Sequence, residues 1–197
     1  TYGRVPDTVY DGNLNNGGER LELLDASATV VDEVAYDDAG PWPITPDGLG
    51  PSLERIDATQ SGDTPRNWRA STHAAGHTAG AANSVAASGL PPWISDVQHP
   101  IEPQPNSAIL VTAHVEDASS VVLTYVINFG AQMPATMFDD GAHGDGGAAD
   151  GIFAATIPGQ AAATLVRFRI EATGPTGTMR HPRSDDTVNY YGTMVAN

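Results

Sequence analysis

Gly17-Gly18-Glu19-Arg20-Leu21-Glu22-Leu23-Leu24-Asp25, a short Ala/Ser/Thr link, and then Val30-Val31-Asp32-Glu33-Val34-Ala35-Tyr36 decide the fold class. Two apolar runs of strand length, rich in Val, Leu and Tyr and separated by a few small residues, read as a β-hairpin. A period of two places Leu21, Leu23, Val30, Val34 and Tyr36 inward, with Glu22, Asp32 and Glu33 toward water. Downstream, Asp37-Asp38-Ala39-Gly40-Pro41 and Thr45-Pro46-Asp47-Gly48 carry turn chemistry. Proline fixes φ there, and glycine tolerates positive φ. Residues 52–57 read as a further strand, with Asn67-Trp68-Arg69 placed to close the sheet.

Residues 72–92 turn to Ala, Gly, Ser and paired prolines with almost no branched apolar side chains. That composition reads as a domain linker, with room for a short helix over 81–87. Beyond it, residues 109–115, 121–127, 135–138, 152–157 and 165–172 are five strand candidates. The last alternates cleanly: Val166, Phe168, Ile170 and Ala172 on one face, Arg167, Arg169 and Glu171 on the other. Short strands at regular spacing with turn signals between them suggest an antiparallel β-sandwich.

The chain has 197 residues, 40% of them hydrophobic, with 21 glycines and 15 prolines. This suits short strands joined by many turns. A net charge of −15, with all nine basic residues arginine and scattered, argues against a nucleic-acid backbone or an anionic membrane surface as partner. No cysteine is present, so no disulfide, thiolate nucleophile or Cys-ligated metal is available. No run of about 20 apolar residues would span a bilayer, and no signal peptide is present. The chain opens on Thr1 rather than Met, and is expected to be a processed product or a fragment.

Asn13-Leu14-Asn15-Asn16-Gly17-Gly18-Glu19, Leu23-Leu24-Asp25, Val30-Val31-Asp32-Glu33-Val34, Trp42-Pro43 and Ser52-Leu53-Glu54-Arg55 together resemble the C-terminal part of a bacterial lamin-tail domain. Asn67-Trp68, followed by Gly76-His77-Thr78-Ala79-Gly80-Ala81-Ala82-Asn83, resembles that family's closing segment. The resemblance implies an immunoglobulin-like sandwich over residues 1–83, lacking the early strands that the family places before Leu14.

The second half is similar to the Ig-like domain that often follows a lamin-tail domain in large secreted bacterial proteins. Many of those proteins end in a kinase-like domain of the spore coat protein H type. The motifs that carry the likeness are Met137-Phe138-Asp139-Asp140-Gly141-Ala142-His143-Gly144-Asp145, Asp150-Gly151-Ile152-Phe153 and Val166-Arg167-Phe168-Arg169-Ile170. Tyr190-Tyr191-Gly192 resembles the lead-in to such a further domain. None of a kinase's own motifs lies in the chain.

One segment is a candidate site. Asp139, Asp140, Asp145 and Asp150 fall on a Gly-rich loop. Closely spaced carboxylates of this kind can wrap a calcium ion with help from backbone carbonyls. The spacing is not that of an EF-hand. The alternative is a solvated hairpin loop in which Asp side chains cap turns and Gly supplies positive φ, and neither spacing nor composition decides between the two.

His73 and His77 stand four apart but lack a zinc-protease glutamate, and read as exposed polar residues. Trp42, Trp68 and Trp93 are either sugar platforms or core plugs, with packing the expected role. Arg55, Arg66 and Arg69 suit surface ion pairs better than an anion site. No nucleophile elbow, P-loop, dinucleotide fingerprint or distinguished carboxylate pair is present.

The expected protein is all-β: two tandem immunoglobulin-like antiparallel β-sandwiches, the first truncated at its N-terminus. The divisions are 1–83, a linker over 84–92, a sandwich over 93–186 and a tail over 187–197 leading to a further domain. The expected function is that of a non-catalytic extracellular or cell-surface module acting as spacer, adhesion or positioning region. Two alternatives stand beside it: a calcium-stabilised carbohydrate- or matrix-binding module, and an accessory fragment of a kinase-like or hydrolytic enzyme. Expected partners are the neighbouring domains of the parent protein and extracellular polysaccharide or protein, with no nucleic acid and no membrane insertion. Calcium is the one cofactor considered.

Overall fold

A computed structural model describes residues 11–197; the first ten residues of the expected first domain lie outside the described residues. The chain divides into two units, residues 1–90 with 185–187, and residues 91–184 with 188–197. Among the described residues every regular element longer than one 3₁₀ turn is a strand, and every ladder is antiparallel. No helix among the described residues is long and apolar enough to cross a membrane.

In the first unit, β1 (Glu19–Leu24) and β2 (Val30–Tyr36) form the hairpin, with Leu21 opposite Val34 and Leu23 opposite Asp32. Its turn is built by Asp25, whose Oδ1 accepts the N–H groups of Ser27 at 2.8 Å and Thr29 at 2.9 Å. This is the local alternative to ladder bonding that Asp favours in turns. The inward placement of Leu21, Leu23 and Val30 is corrected. Leu23 is 63% exposed, and Leu21 and Val30 are exposed as well. The hairpin is a sheet of two strands, and apolar side chains are buried only where a second layer covers them.

Strands β3 (Leu53–Arg55) and β4 (Trp68–Ala70) pair with Leu53 opposite Ala70, and a 3₁₀ turn over Pro65–Asn67 feeds β4. Glu54, Asp57 and Asn67 are buried here. The Asn67 amide donates to the carbonyls of Asp57 and Ser61, while its oxygen accepts the Asp57 N–H at 2.8 Å.

The small-residue segment expected to be a linker is hydrogen-bonded onto β3 and its continuation. Glu54 accepts the Thr78 hydroxyl at 2.6 Å and both the N–H and hydroxyl of Ser84 at 2.7 Å. The Asn83 amide donates to the Arg55 carbonyl, the Ala87 N–H to the Ile56 carbonyl, and the Gly89 N–H to Asp57. Small side chains let this backbone approach the strand closely, and no helix forms over 81–87. Burial alone would push the Glu54 carboxyl up, but the hydrogen bonds from Thr78, Ser84 and Ser71 outweigh it and hold the group at about 2, from an ordinary 4.5.

The second unit contains β5 (Trp93–Gln98), β6 (Ile109–Glu116), β7 (Ser120–Ile127), β8 (Gln132–Met137), β9 (Ile152–Ile157), β10 (Leu165–Gly174), β11 (Gly177–His181) and β12 (Tyr191–Met194). One sheet runs β5-β6-β9. The other runs β11-β10-β7-β8, with β12 also on β10. Between them lie Ile109, Val111, Ala113 and Val115 of β6, Val121 and Leu123 of β7, and Val166, Phe168, Ile170 and Ala172 of β10. Each such Val, Leu, Ile or Phe contributes about 1.5–3 kcal/mol relative to exposure.

The expected tail over 187–197 is corrected. Tyr191–Met194 pairs with β10, placing Phe168 opposite Tyr191 and Leu165 opposite Met194, and Thr193 and Val195 are buried. The signal in the sequence was weak, because β12 is four residues long and contributes few branched apolar side chains.

Candidate functional site

The acidic loop between β8 and β9 is clamped at its base by Phe138, whose N–H and C=O exchange hydrogen bonds with Ala154 at 2.9 and 2.8 Å. Above the clamp, each of the four aspartates accepts backbone amides. Asp145 takes the N–H of Asp140 and of Gly141, the latter at 2.8 Å. Asp139 takes those of Asp150 and Gly151 at 3.2 and 3.0 Å, and Asp150 those of Gly147 and Ile152 at 2.9 and 3.0 Å. Asp140 takes the Ala142 N–H at 2.9 Å and lies 2.9 Å from Nδ1 of His143, which stacks on Phe138 at 4.4 Å.

The His143 contact holds the Asp140 carboxyl below its ordinary value, and the Gly141 amide does the same for Asp145. Gly141 sits at φ +74, and a Cβ there would come within 3.1 Å of the Ala148 nitrogen, so the turn requires glycine. No three His, Asp or Glu side chains among the described residues gather as a metal cluster. Asp145 is 2% exposed, and its Oδ1 is buried without a hydrogen-bond partner.

The other candidates are structural in their surroundings. Nδ1 of His73 accepts the Ala75 N–H, and Nδ1 of His77 the Ala79 N–H, each closing its own turn. Trp42 is buried and lies 6.2 Å from Trp68, whose indole N–H donates to the Gly62 carbonyl at 2.7 Å. Trp93 packs against the core of the second unit, with the Arg183 guanidinium 5.9 Å from its ring. Arg55 pairs with Asp32 and donates to the Gln60 carbonyl.

A second grouping lies on the outer face of the five-stranded sheet. Arg167 and Arg169 project from β10, opposite Val126 and Thr124 of β7, and Val126 is in turn opposite Gln132 of β8. Val126 is 5% exposed although it is not part of the core between the sheets. It forms a buried floor beneath the polar side chains of this face.

The Arg167 guanidinium carbon lies 5.3 Å from the Phe129 ring and 5.6 Å from Tyr190, and that of Arg169 lies 5.4 Å from Tyr190. These are cation–π distances. The Gln132 amide donates to the Tyr190 hydroxyl at 3.0 Å. Phe129 reaches the site because Asn128 adopts φ +50 in the β7–β8 turn, donates to the Leu165 carbonyl, and accepts the Leu165 N–H on its side chain.

Among the described residues neither arginine forms an ion pair, and Glu171, next on the same face, makes none either. Arg167 donates to the Asn128 carbonyl at 2.6 Å, and Arg169 makes only two long contacts of 3.4 Å. Each guanidinium has five donors; the Nε of each is buried without a partner, and the terminal nitrogens keep N–H groups beyond those contacts. The outward pair was legible in the alternation of residues 165–172. Phe129, Gln132 and Tyr190 were not, because only the strand register and the return of β12 bring them there.

Residues 102–180 match the family model described as the conditioned medium factor 2nd Ig-like domain. With two packed antiparallel sheets over the same region, the second unit is an Ig-like β-sandwich. Among solved structures, the "Crystal structure of Br derivative BhCBM56" is similar at a TM-score of 0.36 and 9% identity, over 50% of this chain and 91% of that one. A likeness that loose carries nothing about a ligand. No curated protein sequence matches the chain.

Proposed function

We propose that this chain is a non-catalytic adhesion module of a larger secreted or surface-attached protein. Its second unit acts as a rigid scaffold, and its working surface is the outer face of the five-stranded sheet. The observation that supports it most is the pair Arg167 and Arg169. They are flanked by Phe129, Tyr190 and Gln132 and have no carboxylate partner among the described residues, in a chain of net charge −15. In so acidic a protein a half-buried arginine pair without an ion pair among the described residues is a binding feature, since solvated ion pairs form readily elsewhere on it. The first unit fits the C-terminal part of a lamin-tail domain in the order of its motifs, and its role is to position the second. Co-sedimentation of the full chain with insoluble extracellular polysaccharides tests this. Retention that disappears in an Arg167→Gln/Arg169→Gln variant supports adhesion; no retention by any of them leaves a passive spacer.

A second role is stabilisation by calcium at Asp139, Asp140, Asp145 and Asp150. It is favoured by Asp145 Oδ1, a buried carboxylate oxygen without a partner. The four side chains do not converge as they stand, so backbone carbonyls would supply the remaining oxygens. Millimolar calcium that raises the melting temperature supports it by mass action. An unmoved melting temperature rejects it.

A further inference from the structure

We infer that the Arg167/Arg169 face binds an acidic polysaccharide in which uronate sugars alternate with neutral ones; this rests on the adhesion role proposed above. Three features select that chemistry. First, Phe129 is 88% exposed and Tyr190 half-buried, each ring within cation–π distance of Arg167. Exposed rings on a sheet face offer flat apolar area to the C–H face of a sugar, while a tyrosine hydroxyl supplies a polar handle at its edge.

Second, Gln132 and Tyr190 are linked by a 3.0 Å hydrogen bond, which fixes an amide and a hydroxyl side by side. Such groups serve as both donor and acceptor and suit sugar hydroxyls. Third, the two guanidiniums lie two residues apart on β10, with terminal N–H groups left over and no ion pair to an acid among the described residues. Planar guanidinium donors match a carboxylate bidentately, an arrangement stronger than neutral hydrogen bonding.

The same observations disfavour other anions. A nucleic acid carries one charge per about 1.7 Å of duplex, and two arginines would leave most of that charge facing an acidic chain. A polymer with one carboxylate per disaccharide places a single charge at the pair and neutral sugar on the rings. A peptide strand would seek an open sheet edge for main-chain bonding, and β10 is paired on both sides.

Affinity electrophoresis or calorimetry of the full chain tests the inference with four probes: hyaluronan, its carboxyl-reduced form, heparin and poly-glutamate. Hyaluronan should bind, and carboxyl reduction should weaken binding by about tenfold or more, the loss of one charge-assisted contact. Arg167→Gln and Arg169→Gln should each weaken hyaluronan by a similar factor, and Phe129→Ala by less, with unchanged far-ultraviolet circular dichroism. Glu171→Gln, which removes the acid of β10 on that face, should tighten binding. It gives a gain that a misfolded variant could not mimic.

Equal binding of hyaluronan and its carboxyl-reduced form overturns the inference while leaving an adhesive face in place. Stronger binding of heparin, or Arg-dependent binding of poly-glutamate as tight as that of hyaluronan, overturns the assignment to spaced uronates. Failure of every probe, together with no retention on any insoluble polysaccharide, removes the adhesion role itself.

Discussion

The two units of this chain are held by different physics. In the second, the facing strands β6, β7 and β10 bury a continuous set of Val, Ile, Leu and Phe side chains, with Phe168 wholly enclosed. In the first, the buried apolar side chains include Trp42, Pro43, Ile56 and Ala70, and the buried polar groups include Glu54, Asp57 and Asn67. Meanwhile Leu23, Leu24 and Val31 of its hairpin face water. An apolar core tolerates changes of pH and depends on volume. A buried carboxylate network depends on every donor staying in place and on the acid staying ionised. Mutation and titration should therefore separate the units.

The largest effect is expected from Phe168→Ala. Phe168 is fully buried, stacks on Tyr191 at 5.3 Å and meets His99 edge-on at 5.0 Å. Truncation should cost about 3–5 kcal/mol. Urea denaturation followed by circular dichroism should show the transition of the second unit shifted by that amount. Glu54→Gln comes next, at roughly 2 kcal/mol, because the charge assisting the bonds from Thr78 and Ser84 is lost and one accepting oxygen becomes an N–H donor. That loss should appear in amide exchange of residues 52–90 and leave β6, β7 and β10 unaffected. An equal loss in both units would erase the distinction.

Asp145→Asn follows, at about 1–2 kcal/mol without calcium, since its carboxylate caps the amides of Asp140 and Gly141. Differential scanning calorimetry with and without calcium separates this capping from metal binding. The smallest effect belongs to Leu23→Gln, which adds no like charge opposite Asp32. At 63% exposure it should change stability by no more than about 0.5 kcal/mol, whereas an inward Leu23 would make the same substitution severe.

The strands of the second sandwich were legible wherever branched apolar residues alternate, as in residues 165–172, since a period of two is a direct image of a half-buried strand. β5, β11 and β12 were not legible. They are held by their neighbours' ladders rather than by their own apolar pattern, and Asp96 at φ +48 breaks the pairing of β5 between Ser95 and Gln98. The hairpin over 19–36 was legible as a hairpin but not in its burial, because alternation tells which face is apolar and not whether anything covers it. The hydrogen bonds that hold the segment over 72–90 onto β3 were not legible for a related reason. The segment's role comes from Glu54, a distant acceptor, and composition carries no trace of such a partner. On the sheet face, sequence placed Arg167 and Arg169 outward, but Phe129, Gln132 and Tyr190 join them only through tertiary register.

The contrast between the units is tested most directly by residue-resolved hydrogen exchange of the full chain between pH 6 and pH 2. The folded-state Glu54 carboxyl is held at about 2, below its ordinary 4.5. Its contribution is therefore complete above pH 4.5 and is lost as pH falls toward 2. The account predicts that amides of β3, β4 and the segment over 72–90 lose protection across that interval while those of β6, β7 and β10 keep theirs, and that Glu54→Gln reduces the pH dependence of the first group, with Asp57, whose carboxyl is also held low by its bonds from Thr59 and Gly89, carrying the rest. Simultaneous loss of protection in both groups, or a Glu54→Gln chain with the same acid profile as wild type, would contradict it.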